Sequence, residues 1–321
     1  MKPVTTLEGI FSALPTPFTE NGVVDIPTLL DLMAWQLNPH FLHQSFTNCQ
    51  PSVSGFVLYG TTGEAPTLSL QEKELLTKTT RERFPEQTLI VGIGSNNTAQ
   101  TAEFAKRACS WGADAGLLVT PYYNRPNQDG LFQHTLKVAE SVPNWPLVLY
   151  VVPSRTGVTL EIETVDRILS ACPQVIAIKD ASADLSYTQE LISCCGNRAS
   201  VLSGDDLTAL PAWSIGAKGS ISVISNLCPA EVMLLWSYHQ GQAFKDAQTL
   251  FKQIHPMIKS LFIDTNPIPL KAALHQIYQM GLLSLSSPFN SHVRLPLTRL
   301  HEDRLAIVQQ ELKDFLSQYH V

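Results

Sequence analysis

Val175-Ile176-Ala177-Ile178-Lys179-Asp180 runs four apolar residues straight into an amine and a carboxylate, and Pro173 stands just ahead of it. A short apolar run, part β-branched, with proline at its start reads as a buried parallel strand over residues 175–178. Lys179 is then the first polar residue at the strand's C-terminal end. On these residues alone two readings of Lys179 are open. A strand-end lysine can snorkel to solvent or form a structural ion pair, here with Asp180. Alternatively, partial burial disfavours the ammonium, and the neutral amine attacks a carbonyl carbon to form a Schiff base.

The same pattern recurs along the chain. Apolar runs at 10–18, 55–59, 89–94, 115–120, 146–152, 175–178, 200–202 and 219–225 read as strands. Between them lie helical patterns at 27–37, 69–84, 98–111, 131–142, 162–171 and 185–195, and a further helix for which Asp206 is placed as the N-cap. Ser69 with Glu72 three residues on reads as a capping box. Strand and helix alternating in this way predict an α/β fold, a (β/α)8 TIM barrel. From Pro229 onward there is no further strand pattern. Helices are expected over 231–238, 244–262, 267–280 and 299–320, with an irregular stretch at 284–297. The expected organisation is a barrel domain, 1–228, and a C-terminal helical region, 229–321. Residues 38–54 are polar and without periodicity, and read as a surface excursion of unusual length.

Composition narrows the function. The chain has 321 residues, 44% of them hydrophobic and 16% charged, with a net charge of -6. Acids and bases are interspersed without a basic run, which argues against a nucleic-acid partner. No apolar stretch approaches membrane-spanning length and no signal pattern opens the chain, so a soluble cytoplasmic protein without a membrane partner is expected. Cys49, Cys109, Cys172, Cys194, Cys195 and Cys228 form no C-x-x-C pair, and several, in apolar helical surroundings, read as inert core thiols. His40 and His43 stand three apart with no carboxylate nearby, so no metal site is expected there. No phosphate-binding glycine loop is present, and no cofactor is expected.

Polar residues gather after the strands: Thr61, Thr62, Tyr122, Tyr123, Tyr150, Arg155, Lys179, Gly204 and Ser225. Each alone has an ordinary structural reading, such as a capping pair, an aromatic filler or a surface ion pair. In a barrel, however, these positions ring the C-terminal face, where the active site sits. An imine on Lys179 that loses a proton from the adjacent carbon becomes an enamine, a carbon nucleophile. Its proton transfers need a nearby hydroxyl, and Tyr150 ends the preceding strand. Thr62 and Tyr123 extend that chain of hydroxyls. Backbone amides of the 60–63 loop can hold one carboxylate, and the planar fork of Arg155 a second. Two carboxylate receptors and one amine suggest two acidic reactants joined by a carbon–carbon bond.

GTTGE at 60–64, TPYYNRP at 120–126, PSRTG at 153–157, IKD at 178–180 and SGDD at 203–206 resemble the dihydrodipicolinate synthase branch of the pyruvate-dependent class I aldolases. The resemblance runs over roughly residues 8–300, with the motifs in the family's order. It implies that Lys179 forms the Schiff base with pyruvate and that Tyr150 is the general acid/base. Thr62 and Tyr123 would complete the proton relay, Tyr123 from across a subunit interface. Thr61 and Thr62 would hold the pyruvate carboxylate, and Arg155 the carboxylate of aspartate semialdehyde. Gly204 and Ile221 would offer backbone groups near the nucleophile. A homotetramer built from tight dimers is implied, with a product on the route to diaminopimelate and lysine. Retro-aldol cleavage of a 2-keto-3-deoxy sugar acid or N-acetylneuraminate is the alternative, and a catalytically dead keto-acid sensor a more distant one. Val151 departs from the family's usual Asn and Asp180 from its commoner Glu. Feedback-sensitive members bind lysine in a cleft that maps to Ala65, Pro66, Leu70, Lys73, Asn96, Gln100 and Tyr122. They carry histidines where Leu70 and Lys73 stand and a glutamate where Gln100 stands, so weak or absent lysine inhibition is implied here.

Overall fold

The apolar runs become strands because continuous Val, Ile and Leu suit a sheet buried on both faces. A computed structural model describes residues 5–38 and 52–317. Its strands are β1 (Gly9–Ala13), β2 (Gly55–Leu58), β3 (Thr88–Gly92), β4 (Ala115–Val119), β5 (Leu147–Val151), β6 (Val175–Asp180), β7 (Ser200–Ser203) and β8 (Gly219–Ser222). They close into a barrel in that order. β1 pairs with β2, β3 with β4, β4 with β5, β5 with β6, β6 with β7 and β7 with β8, each in parallel. β1, β5 and β6 are buried along their whole length.

Helices follow the strands: α1 (Ile26–Leu37), α2 (Leu70–Arg83), α3 (Thr98–Ser110), α4 (Gln128–Ser141), α5 (Pro153–Thr156), α6 (Ile162–Ala171), α7 (Leu185–Cys195) and α8 (Ala209–Ser214). α9 (Pro229–Gln240), α10 (Phe244–Ser260), α11 (Ile268–Gln279) and α12 (Glu302–Ser317) complete the described chain. The capping box forms reciprocally. Ser69 N donates to Glu72 Oε2 at 2.8 Å, and Glu72 N to Ser69 Oγ at 3.2 Å.

Several boundaries differ from the sequence reading. β6 does not stop before Lys179. The ladder continues through Lys179, paired with Tyr150 and Leu202, and through Asp180, paired with Val151 and Ser203. The stretch after β5 winds into the single turn of α5, too short to show periodicity. β8 ends at Ser222, and Ile224–Asn226 form a 3-10 turn. Asp206 is not the N-cap of α8. Thr208 holds that position, and Asp205 accepts from its N at 3.0 Å and its Oγ1 at 2.8 Å. Residues 39–51, with His40, His43 and Cys49, lie outside the described residues, as do 318–321.

The chain divides into two compact units. Of the described residues, one comprises 5–9 and 84–221. In it α3 packs on α4, α4 on α6 and α6 on α7, around strands β3 to β8. Trp145 fills the space beside Gly116 and donates its indole N–H to Ala113 O at 2.8 Å. The other comprises 10–38, 52–83 and 222–317. α10 packs on α9 and α12, and α11 on α12. Here β1, β2, α1 and α2 share one body with α9 to α12.

Candidate active site

The first unit holds the amine. Lys179 sits near the end of β6 with only 6% of its surface exposed. Residues paired in register on parallel strands point to the same face. Tyr150 of β5 is the register partner of Lys179. The Lys179 ammonium accordingly lies over the Tyr150 ring, 4.4 Å from its centroid, a cation–π contact. Asp180, next along the strand, faces the other way. Its buried carboxylate accepts from Thr188 Oγ1 at 2.6 Å and from Ser182 N at 2.9 Å, and so anchors the start of α7. The structural ion pair with Asp180 is therefore not formed, and Lys179 does not reach out to solvent.

Gly204 follows β7, and its N–H donates to Asp180 O at 2.6 Å. A Cβ at this position would stand 2.7 Å from Lys179 Cε and 2.9 Å from Ala181 Cβ. The glycine is thus the clearance through which the lysine chain passes. Ile221 is buried in β8. Arg155 lies exposed on α5, which Gly157 ends with φ +70°. Arg125 Nε donates to Gly157 O at 3.3 Å. Tyr123 is 90% exposed in the left-handed region at φ +70°. Arg125 and Ala183 share that conformation. Non-glycine residues held there cost energy and cluster at functional loops.

The second unit holds the threonines. Thr61 is half-buried and Thr62 buried. Their loop is tightly set. Tyr59 and Glu64 have φ +34° and +55°, and a Cβ on Gly63 would stand 2.6 Å from Tyr59 Cα. Thr16 Oγ1 donates to Gly63 O at 2.7 Å, and Asn266 Nδ2 to Thr62 Oγ1 at 2.9 Å. Glu64 forms a 2.5 Å ion pair with Lys271, their side chains 1% and 0% exposed. Lys271 also donates to His292 O at 2.9 Å, and Glu64 Oε2 accepts from Arg294 N at 2.9 Å. Desolvation pulls the Lys271 ammonium down to about 8. The Arg294 guanidinium grips Glu72, chiefly by hydrogen bonding, and holds its carboxyl down at about 2. Lys271 and Arg294 both stand over the Phe18 ring, 4.2 and 4.3 Å from its centroid. Ser225 accepts from Ser12 Oγ at 2.8 Å and donates to Ser222 O at 3.1 Å.

Sequence reasoning missed Asn266, Glu64, Lys271 and Arg294. Asn266 lies 204 residues from Thr62, and Lys271 lies 207 from Glu64, so no local spacing announces either contact. Among the described residues no group of three or more His, Cys, Asp or Glu could hold a metal ion. No described helix is long and apolar enough to cross a membrane.

Fold and site together define a class: (β/α)8 barrels with a buried lysine at the end of the sixth strand, stacked on a tyrosine of the fifth. Residues 6–316 match the dihydrodipicolinate synthetase family, and the chain belongs to it. It is 38% identical to a 4-hydroxy-tetrahydrodipicolinate synthase of Methanococcus aeolicus over 310 residues, 96% of this chain and 99% of the relative. The crystal structure of dihydrodipicolinate synthase from Acinetobacter baumannii, complexed with pyruvate, is 37% identical with a TM-score of 0.85, covering 97% of this chain and 99% of that one. The Thermotoga maritima dihydrodipicolinate synthase gives 32% identity and a TM-score of 0.86, covering 97% and 99%.

Proposed function

We propose that this protein is a lyase that condenses pyruvate with L-aspartate 4-semialdehyde to give 4-hydroxy-tetrahydrodipicolinate, in lysine and diaminopimelate biosynthesis. The observation that carries the reading is the buried Lys179 amine over the Tyr150 ring, with Gly204 cleared beside it. Lys179 Nζ attacks the keto carbon of pyruvate, and water leaves as the imine forms. Loss of a methyl proton gives the enamine, whose carbon bonds to the aldehyde carbon of the semialdehyde. The amino group of that second reactant then attacks the imine carbon, closing the ring and releasing Lys179.

Tyr150 carries the protons of these steps. Thr62 and Tyr123 relay them, and Tyr123, with its ring almost wholly exposed, is contributed to a neighbouring subunit. Thr61 and Thr62 hold the pyruvate carboxylate, Arg155 the carboxylate of the semialdehyde, and Gly204 and Ile221 offer backbone groups beside the nucleophile. No metal or cofactor takes part in this scheme. The working assembly is a homotetramer of two tight dimers, in the cytoplasm.

Borohydride reduction in the presence of pyruvate tests the reading. One reduced pyruvate per chain, mapped to Lys179, is expected, together with turnover of the semialdehyde rather than of a panel of sugar acids. A Lys179→Ala protein that still traps pyruvate would overturn it.

A further inference from the structure

We infer that Asn266, in the segment leading into α11, is a positioning residue that sets the direction of the Thr62 hydroxyl. The inference rests on the reading above, in which Thr62 passes protons. Thr62 and Asn266 are both buried. The Asn266 amide donates to Thr62 Oγ1 at 2.9 Å. A threonine hydroxyl has one proton to donate and two lone pairs to accept with. With one lone pair held by an amide N–H, the O–H bond turns away from Asn266 and donates elsewhere. Thr62 is then poised as a donor, which gives a hydroxyl chain a starting direction.

The surroundings leave that direction as the remaining freedom. The backbone beside Thr62 is fixed by Thr16 on Gly63 O and by the lack of room at Gly63. The segment carrying Asn266 is pinned to the same loop a second time, by Lys271 on Glu64. The Asn266–Thr62 and Lys271–Glu64 links both hold residues 62–64 against residues 266–271, and the first ends on a group of the proposed relay. The charged groups of these two segments, Glu64 and Lys271, are paired with each other.

The test is a double-mutant cycle with a pH profile. Asn266→Ala and Asn266→Asp are made alone and in a Thr62→Val background, and turnover, pyruvate trapping and thermal unfolding are measured. Asn266→Ala should lower kcat by about tenfold, part of the roughly 10²–10⁴-fold that positioned proton transfer contributes, with KM for pyruvate little changed. In the Thr62→Val background it should add almost nothing, since coupled residues are non-additive. Asn266→Asp presents a carboxylate that accepts from the hydroxyl and reverses it. Its activity should recover toward acid pH, where the protonated acid can donate, and Asn266→Ala should show no such limb. A residue that only packs would not create that limb. Equal losses from Asn266→Ala in both backgrounds, or a loss of kcat that follows unfolding alone, would overturn the inference while the function stands. Absence of pyruvate trapping in the unaltered protein would overturn the function and the inference together.

Discussion

Gly204→Ala puts one methyl group where the lysine chain passes. The new Cβ would stand 2.7 Å from Lys179 Cε, 3.0 Å from Lys179 Cγ and 2.9 Å from Ala181 Cβ. Carbon atoms in good contact stand about 3.5–4.0 Å apart, so the overlap is on the order of 0.5–1 Å on each. Ala181 Cβ is set by its backbone and cannot rotate away. The lysine chain can, and its amine moves with it, off the Tyr150 ring. A misplacement of about 1 Å can cost about 10²-fold in rate, while overpacking of a filled core costs about 1–3 kcal/mol. The two effects separate experimentally. Imine formation, followed by the rate of borohydride trapping of pyruvate, should fall by about 10²-fold. Urea unfolding should show a protein still folded at 25 °C. Trapping at the unaltered rate in a folded Gly204→Ala protein would refute the reasoning, because the amine would then have reached its working position despite the methyl.

Arg155→Ala removes a charged hydrogen-bonding partner worth about 1.5–3 kcal/mol. It should lower kcat/KM for aspartate semialdehyde by about 10- to 10²-fold while pyruvate trapping persists; lost trapping with semialdehyde use intact would reverse the assignment. Glu231 of α9 is buried with Oε1 unpartnered, and desolvation pushes its carboxyl up from 4.5 to about 7. The unfolded chain ionises this group near 4.5, so the stability it contributes below that pH is lost as pH rises toward 7, about 3 kcal/mol in all. Urea midpoints of Glu231→Gln should therefore change less between pH 5 and 8 than those of the unaltered protein, and equal pH slopes would contradict this. Lysine should inhibit weakly or not at all: Gln100 offers no carboxylate, Leu70 no polar atom, and Lys73 brings a partly desolvated cation, 6.0 Å from the Tyr59 ring centroid. Clear inhibition by sub-millimolar lysine in an activity titration would show otherwise.

What was legible from sequence is what chain-local physics determines. The apolar core of β6, the capping box at Ser69 and Glu72, and the ends of α6 and α7 each depend on neighbours within a few residues. β6 was read two residues short because Lys179 and Asp180 are polar, and polar residues ordinarily mark a strand's end. They stay in the ladder because each finds a buried partner elsewhere: the Tyr150 ring for one, Thr188 for the other. Asp206 reads as the cap of α8 from sequence, but Thr208 takes that position, its N–H and hydroxyl held by Asp205. Lys179 could be singled out because one strand carries it. Asn266 could not, because its meaning lies in a threonine that the barrel's closure brings to it from more than 200 residues away.

The pentapeptide GTTGE illustrates how much of a motif is support. Read as sequence, its threonines and glycines draw attention as a substrate cradle, and Glu64 looks incidental. In the fold Glu64 is buried, held in the left-handed region and joined to Lys271 and Arg294. Removing one partner of a buried ion pair costs about 3–5 kcal/mol, because the charge left behind has nothing to replace it. Both partners of Glu64 come from beyond residue 228, so the C-terminal helices anchor the loop that presents Thr61 and Thr62. Removing residues 229–321 would strip Thr62 of Asn266, Glu64 of its cation and Glu72 of Arg294 at once. The helices after β8 are thus part of what holds the barrel's second loop in shape, which explains why they share a compact unit with β1 and β2.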